Sequence, residues 1–271
     1  MKFISQQSFF DYIKTLRYLA SKDLGQNFLI NEILAAKIVK GINPNNGEQI
    51  LEIGSGFGSL SYFLVRYRAA ITLLDVDPKI IAFLSEQFGE MSNVKIVQES
   101  ILKHDLSIYD KIIGNLPYYI TSETIEYCLL NSYRAKSMVF MIQKEVLSRL
   151  ISQPKQDGYG PLAILVSFLG EAKRVFNVGR SNFVPAPKVD SVVVEINMKQ
   201  DIDHETARQL HKITNSLFHH RRKTIRNNLT LYLKSSEKAD RLIAELGVDG
   251  SKRPEELDLS FYLRLIKQLK F

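Results

Sequence analysis

The sequence has no tryptophan and a single cysteine, Cys128. One cysteine excludes an internal disulfide and any cysteine zinc cluster. Cys128 falls in the helical pattern SETIEYCLL, where a buried and inert thiol is expected. Long apolar runs are also missing. The longest, PLAILVSFL, is far too short to span a bilayer. The opening segment MKFISQQSFFDYIKTLRYLA carries charge throughout and lacks the apolar centre of a secretion signal, so a cytoplasmic protein with no membrane association is expected. Internal repeats and low-complexity tracts are absent as well.

What is present suits a globular chain. Over 271 residues, 45% are hydrophobic and 24% charged, enough for one α/β domain and a smaller second unit. The net charge is +7, and it is unevenly placed. Residues 1–130 hold 12 Lys+Arg against 14 Asp+Glu; residues 131–188 hold 9 against 3, and residues 189–271 hold 15 against 12. A near-neutral front half with a basic back half points to a polyanionic partner.

Two helical patterns, roughly 5–20 and 31–40, open the chain. Strand and helix then alternate. QILEIG, AAITLLDVD, NVKIVQE, DKIIGN and KSMVFMI read as strands, while SLSYFLVRY, PKIIAFLSEQF, SETIEYCLLN, QKEVLSRLI and GPLAILVSFLG read as helices. Asp77 and Pro78 are placed as N-cap and first residue of the second of those helices, and a Ser/Thr cap is expected for the third. AKRVFNVG and VDSVVVEINM are two late strands with the Pro-rich loop FVPAPK between them. After Met198 only helical patterns follow. This order predicts a Rossmann-like α/β domain over 1–199, its mostly parallel sheet edged by an antiparallel hairpin, and a small all-helical domain over 200–271.

LEIGSGFGSL places glycines at 54, 56 and 58 directly after the first strand of the alternation. Glycine serves where the backbone takes positive φ or a ligand comes close. The spacing is G-x-G-x-G, not the dinucleotide G-x-G-x-x-G, and no Lys-Ser/Thr follows to grip a phosphate. Asp75 closes the second strand, where a carboxylate can accept ribose hydroxyls, and Glu99 closes the third, where one can accept an adenine amino proton. Glycine, acid and acid on successive strand ends describe a slot for a nucleoside without phosphates. S-adenosylmethionine (SAM) is such a ligand.

The fourth strand ends in GNLPYYIT. Methyl transfer to the exocyclic amine of adenine must overcome delocalisation of the nitrogen lone pair into the ring. Two acceptors aimed at its N–H bonds turn that lone pair outward, and the Asn115 side chain and Leu116 carbonyl can supply them. Pro117 fixes φ and removes a competing donor. Tyr118 offers a ring for the base to stack on, worth about 1–3 kcal/mol. The target adenine must then be single-stranded, looped or flipped.

Six ordered segments, DLGQNFL, LEIGSGFGSL, GNLPYYIT, FMIQKEVLSRL, FVPAPKVDS and HHRRKTIRNNL, resemble those of the small-subunit ribosomal RNA adenine dimethyltransferases, from about Leu24 to the C-terminus. The resemblance implies SAM as methyl donor, no metal, and two adjacent adenosines near the 3′ end of small-subunit (16S) rRNA as target, each becoming N6,N6-dimethyladenosine, with a role in small-subunit biogenesis. It implies that Gln26, Asn27 and Leu29 cover the methionine end of SAM. Gly54 and Gly56 would lie against the cofactor, and Asp75 and Glu99 would hold ribose and adenine. Asn115 would sit at the transfer centre, and Phe183 would stack the target base opposite Tyr118. The family more often has Glu at Asp75, Asp at Glu99 and Pro at Ser55. A monomer acting on a ribosomal particle is expected.

HHRRKTIRNN packs Arg221, Arg222, Lys223 and Arg226 into a short basic segment expected to contact RNA phosphates. His219 and His220 have no partners at metal-ligand spacing. Three alternatives stay open on the sequence: the same chemistry on large-subunit rRNA, an assembly factor that binds RNA without turnover, and a dinucleotide-dependent dehydrogenase.

Overall fold

Strong N-caps start most of the helices in the computed structural model, which describes residues 26–269. The helix expected over roughly 5–20 lies outside the described residues. Asn31 accepts from Leu34 N–H (3.1 Å) to open α1 (Glu32–Ile42), and Asp77 accepts from Lys79 N–H (2.9 Å) to open the helix at Pro78–Phe88. The strands are β1 (Phe28–Leu29), β2 (Gln49–Ile53), β3 (Ala70–Asp75), β4 (Val94–Gln98), β5 (Lys111–Asn115), β6 (Ser137–Gln143), β7 (Gly170–Val178), β8 (Phe183–Val184) and β9 (Ser191–Met198). Remaining helices are α2 (Ser61–Leu64), α3 (Pro78–Phe88), α4 (Thr121–Asn131), α5 (Ser148–Ile151), α6 (Pro161–Leu169), α7 (His204–Phe218), α8 (Ile225–Leu233), α9 (Ser236–Leu246) and α10 (Leu259–Leu269).

The main sheet has the order β4-β3-β2-β5-β6-β9-β7. β2 pairs in parallel with both β3 and β5, β3 with β4 and β5 with β6, while β9 runs antiparallel to β6. This is a Rossmann-like sheet with its antiparallel strand near one edge. The parallel register puts the carboxyl ends of β2, β3, β4 and β5 on one side. β2 lies between β3 and β5, so the chain reverses its direction of travel across the sheet there, and ligands of open α/β sheets bind outside such a point. Gly54, Asp75, Glu99 and Asn115 all stand at those four ends.

Several elements differ from their sequence patterns. SLSYFLVRY forms only the four-residue α2, and QKEVLSRLI splits into a 3-10 turn (Lys144–Val146) and the short α5. No side chain caps α4; Thr121 donates its hydroxyl back to the Pro117 carbonyl (2.9 Å) instead. FVPAPK is not all loop. Its first two residues form β8, which pairs antiparallel with β1, and the Val184–Pro185 peptide is cis.

Two compact units result, one of residues 26–147 with 173–198 and the other of 148–172 with 199–269. Residues 148–172 group with the helices after Met198 and not with the strands that flank them in sequence. The reason is α6. Leu162 to Val166 and Leu169 are buried, and Ala163 and Ile164 belong to the core built by Leu210, Ile213 and Leu217 of α7 with Phe261, Tyr262 and Leu265 of α10. An apolar helix without a polar face does not reveal which core will take it. The first unit has its own core from α1, α2, α3 and the inward faces of the sheet.

One buried acid stands out in that first unit. Glu52 on β2 is 1% exposed and accepts a hydrogen bond from the Ser61 hydroxyl (2.6 Å). Burial pushes its carboxyl from 4.5 up to about 8, against the opposing effect of the Ser61 bond, and the nearby Asp75 charge pushes the same way. A carboxyl raised on folding binds its proton more tightly in the native state, so its contribution falls as pH rises from 4.5 towards 8. Glu52→Gln, neutral at every pH, is expected to flatten this fall and to be more stable than wild type at the alkaline end by a few kcal/mol at most. Urea midpoints measured across that range for both proteins check it; parallel curves would refute the assignment.

Candidate active site

The ends of the four strands surround an open cleft. Its floor is the glycine loop. Gly54 has φ +64, and a Cβ there would project to 3.6 Å from the Asn115 carbonyl and 3.7 Å from the Pro117 ring, into space that a ligand would otherwise fill. The loop is pinned from below, with Gly54 N–H and Ser55 N–H both donating to the Leu74 carbonyl (2.9 and 3.2 Å).

Asp75 ties this floor to its neighbour. One carboxylate oxygen accepts from Gly56 N–H and the other from Asp77 N–H, each at 3.0 Å. Burial raises its carboxyl above the ordinary range, and these two backbone donors oppose that rise. Both oxygens retain lone pairs for ribose hydroxyls. Asp77 caps α3 as expected, and it also accepts from the Gln26 side-chain amide (3.3 Å). Glu99, just past β4, is partly exposed at the far end of the cleft with Ser100 and Ile101 beside it.

On the opposite wall, the Asn115 side-chain amide donates to the Asn27 carbonyl at 2.9 Å. That bond uses the NH₂ end and leaves Oδ1 as an acceptor. Leu116 is fixed through its own N–H, which donates to the Met141 carbonyl (3.1 Å), and Pro117 follows with φ −58. The Tyr118 hydroxyl shares a 2.6 Å hydrogen bond with Ser191 on β9, so its ring is held in place at the cleft wall.

The structure thus gathers Gln26, Asn27, Gly54, Gly56, Asp75, Glu99, Asn115, Leu116, Pro117 and Tyr118 around one cleft. Two expected members are elsewhere. Leu29 and Phe183 are register partners in the β1–β8 pair, each 2% exposed and part of the first unit's core. Phe183 is therefore not available to stack a base, and Leu29 does not face the cleft. Strand alternation explains the swap at β1: Phe28, its neighbour, points the other way and lines the cleft, packed on Phe57 (4.9 Å between ring centres). Tyr119, 53% exposed at the cleft mouth, was also not foreseen; a second tyrosine after Asn-Leu-Pro-Tyr was its only signal.

The lining fits SAM. Two acids and a Cβ-free floor match the hydroxyls, amine and backbone of such a nucleoside, and no lysine or arginine lines the cleft among the described residues. Such a surface suits a cationic, phosphate-free nucleoside and repels a phosphorylated one.

A model of the ribosomal RNA adenine dimethylase family matches residues 18–270. The chain belongs to that family. Among its relatives, the ribosomal RNA small subunit methyltransferase A of Pseudomonas savastanoi pv. phaseolicola is 36% identical over 261 residues, covering 93% of this chain and 96% of that protein. The protein of the same name from Streptococcus gordonii is 34% identical over 265 residues, with 92% and 91% covered. Of solved structures, a dimethyladenosine transferase from Plasmodium falciparum superposes with a TM-score of 0.73 at 25% identity, over 90% of this chain and 97% of that one. Membership in the adenine dimethylase family agrees with a cleft that combines acids at two strand ends with Asn-Leu-Pro-Tyr at a third.

The basic segment lies in the other unit, in the turn between α7 and α8. Asn228 holds that turn, donating to the carbonyls of His220, Lys223 and Thr224 (3.2, 3.1 and 3.1 Å). Arg221 pairs with Glu255 (3.1 Å), and Arg226 makes a two-pronged contact with Asp240 (2.6 and 2.7 Å). Arg222 and Lys223 are exposed on the same turn.

If Asp75 staples the loop as described, Asp75→Asn should destabilise the ligand-free protein by about 1–3 kcal/mol, because an amide NH₂ would face a backbone N–H. Urea unfolding without added ligand measures this; an unchanged midpoint would show that the two backbone bonds carry no weight.

Proposed function

We propose that the chain transfers methyl groups from SAM to N6 of two adjacent adenosines near the 3′ end of small-subunit rRNA, giving N6,N6-dimethyladenosine during small-subunit biogenesis. Family membership supports the reaction class, and the names of the relatives support the small subunit as target. The observation that carries the reading is the Asn115 amide, locked by Asn27 with its oxygen left for an incoming N–H.

When bound, SAM supplies an electrophilic methyl carbon on a sulfonium. Gln26, Asn27 and the Gly54–Gly56 backbone bound its amino-acid side, Asp75 its ribose and Glu99 its adenine. Asn115 Oδ1 and the Leu116 carbonyl accept the two N6–H bonds of the target, which turns the nitrogen lone pair towards the methyl carbon. Pro117 keeps that carbonyl from rotating, and Tyr118 presents an aromatic face to the base. No residue acts as a strong base, since the amine proton becomes acidic once nitrogen is alkylated. Catalysis is then positioning.

The reading needs no metal ion. It has a monomer working in the cytoplasm on rRNA within a ribosomal particle, with 1–199 chiefly the methyltransferase part and 200–271 chiefly RNA-binding. No described helix is long and apolar enough to cross a membrane. Arg222 and Lys223 contact phosphate directly; Arg221 and Arg226, themselves exposed, exchange their acidic partners for phosphate at little cost.

The test is incubation with labelled SAM and unmethylated small ribosomal subunits, followed by nucleoside analysis. Dimethyladenosine is the expected product, and Asn115→Ala should lower the rate on the order of 100-fold or more while SAM binding changes little. Label appearing only in large-subunit rRNA would redirect the target, and no label with folded, SAM-binding protein would remove the enzymatic reading.

A further inference from the structure

Glu99 does not stand alone at the cleft edge. Its Oε2 lies 2.6 Å from Nδ1 of His104, and Nε2 of the same ring lies 2.8 Å from the Tyr109 hydroxyl. Tyr109 is buried, and its hydroxyl anchors the Nε2 side of the ring. On the other side Nδ1 faces a carboxylate, which only accepts, so Nδ1–H donates to Glu99. The backbone around the ring is fixed as well. His104 N–H donates to the Ser100 carbonyl (3.2 Å), and the Tyr127 hydroxyl donates to the His104 carbonyl (3.0 Å). A hydrogen-bonded line thus runs from the buried interior through Tyr109 and His104 to an acid whose side chain is still 40% exposed.

We propose that His104, backed by Tyr109, is a positioning residue that fixes the Glu99 carboxylate and thereby makes the cleft select a 6-amino purine over a 6-oxo purine. The inference rests on the cleft being a SAM site and adds a determinant of its specificity. With Oε2 committed to His104, Oε1 is the oxygen left to the cleft. A 6-amino group donates to it, whereas a 6-oxo group sets acceptor against acceptor, and a site built around one hydrogen bond rejects the analogue that cannot make it. Without His104 a glutamate with three rotatable bonds could swing away from either purine, and the rejection would weaken along with the attraction.

Calorimetric titration of the full chain with S-adenosylhomocysteine and its deaminated counterpart, S-inosylhomocysteine, tests this. Wild type is expected to prefer the adenine ligand by about tenfold or more, and His104→Ala to reduce the ratio to about threefold or less. His104→Asn, whose side-chain amide can donate from near the Nδ1 position, should keep most of the preference, which a purely structural role for the ring would not predict. An unchanged ratio in His104→Ala, or no preference in wild type, overturns the proposal. Should His104→Ala fail to fold, Tyr109→Phe carries the test, because it keeps the buried ring and loses only the hydroxyl; an unchanged ratio there overturns it equally. If wild type binds neither nucleoside, the SAM reading of the cleft itself fails and this inference falls with it. Binding of both with equal affinity leaves that reading standing and removes only the role of His104.

Discussion

A single carboxylate, Asp75, holds two loops of the cleft at once. Its bonds to Gly56 N–H and Asp77 N–H join the turn after β2 to the start of α3, and each satisfies a backbone donor that would otherwise face a half-apolar hollow. A buried carboxylate is tolerated only when hydrogen-bonded in this way. The neighbouring acid, Glu52, meets the same problem differently, since its burial keeps the carboxyl protonated up to about 8. Two acids close together in one core would repel if both were ionised, and a protonated Glu52 removes that repulsion.

The opposite wall works through neutral dipoles. Asn115, Leu116 and Pro117 are set by strand pairing with β6, by the Asn27 carbonyl and by the fixed torsion of proline. None of these groups changes charge in the physiological range. Such a wall presents its acceptors in the same direction whatever the pH.

How much of this was legible in the sequence follows the range of the interactions. The glycine loop, Asp75, Glu99 and Asn115 were visible because each lies at the end of an apolar run, and a parallel sheet collects such ends on one side. Asp77 as helix cap is equally local. β1 and β8 were not visible, since two residues have no periodicity and their pairing joins Leu29 to Phe183 across most of the first unit's sequence. That pairing is what buries both side chains and brings Phe28 to the cleft. The basic segment shows the same limit: four cations were legible, but Glu255 and Asp240, which engage two of them, come from later parts of the chain. His104 was passed over because the helical or loop character of ILKHDL says nothing about which side chains a buried tyrosine will reach.

The chain passes from one unit to the other at Leu147/Ser148, returns at Ala172/Lys173 and leaves again at Met198/Lys199. Neither unit is consequently a cassette that one cut can release. A graft of the helical unit onto another enzyme that began at residue 200 would arrive without α6 and with the seat of Ala163 and Ile164 vacant.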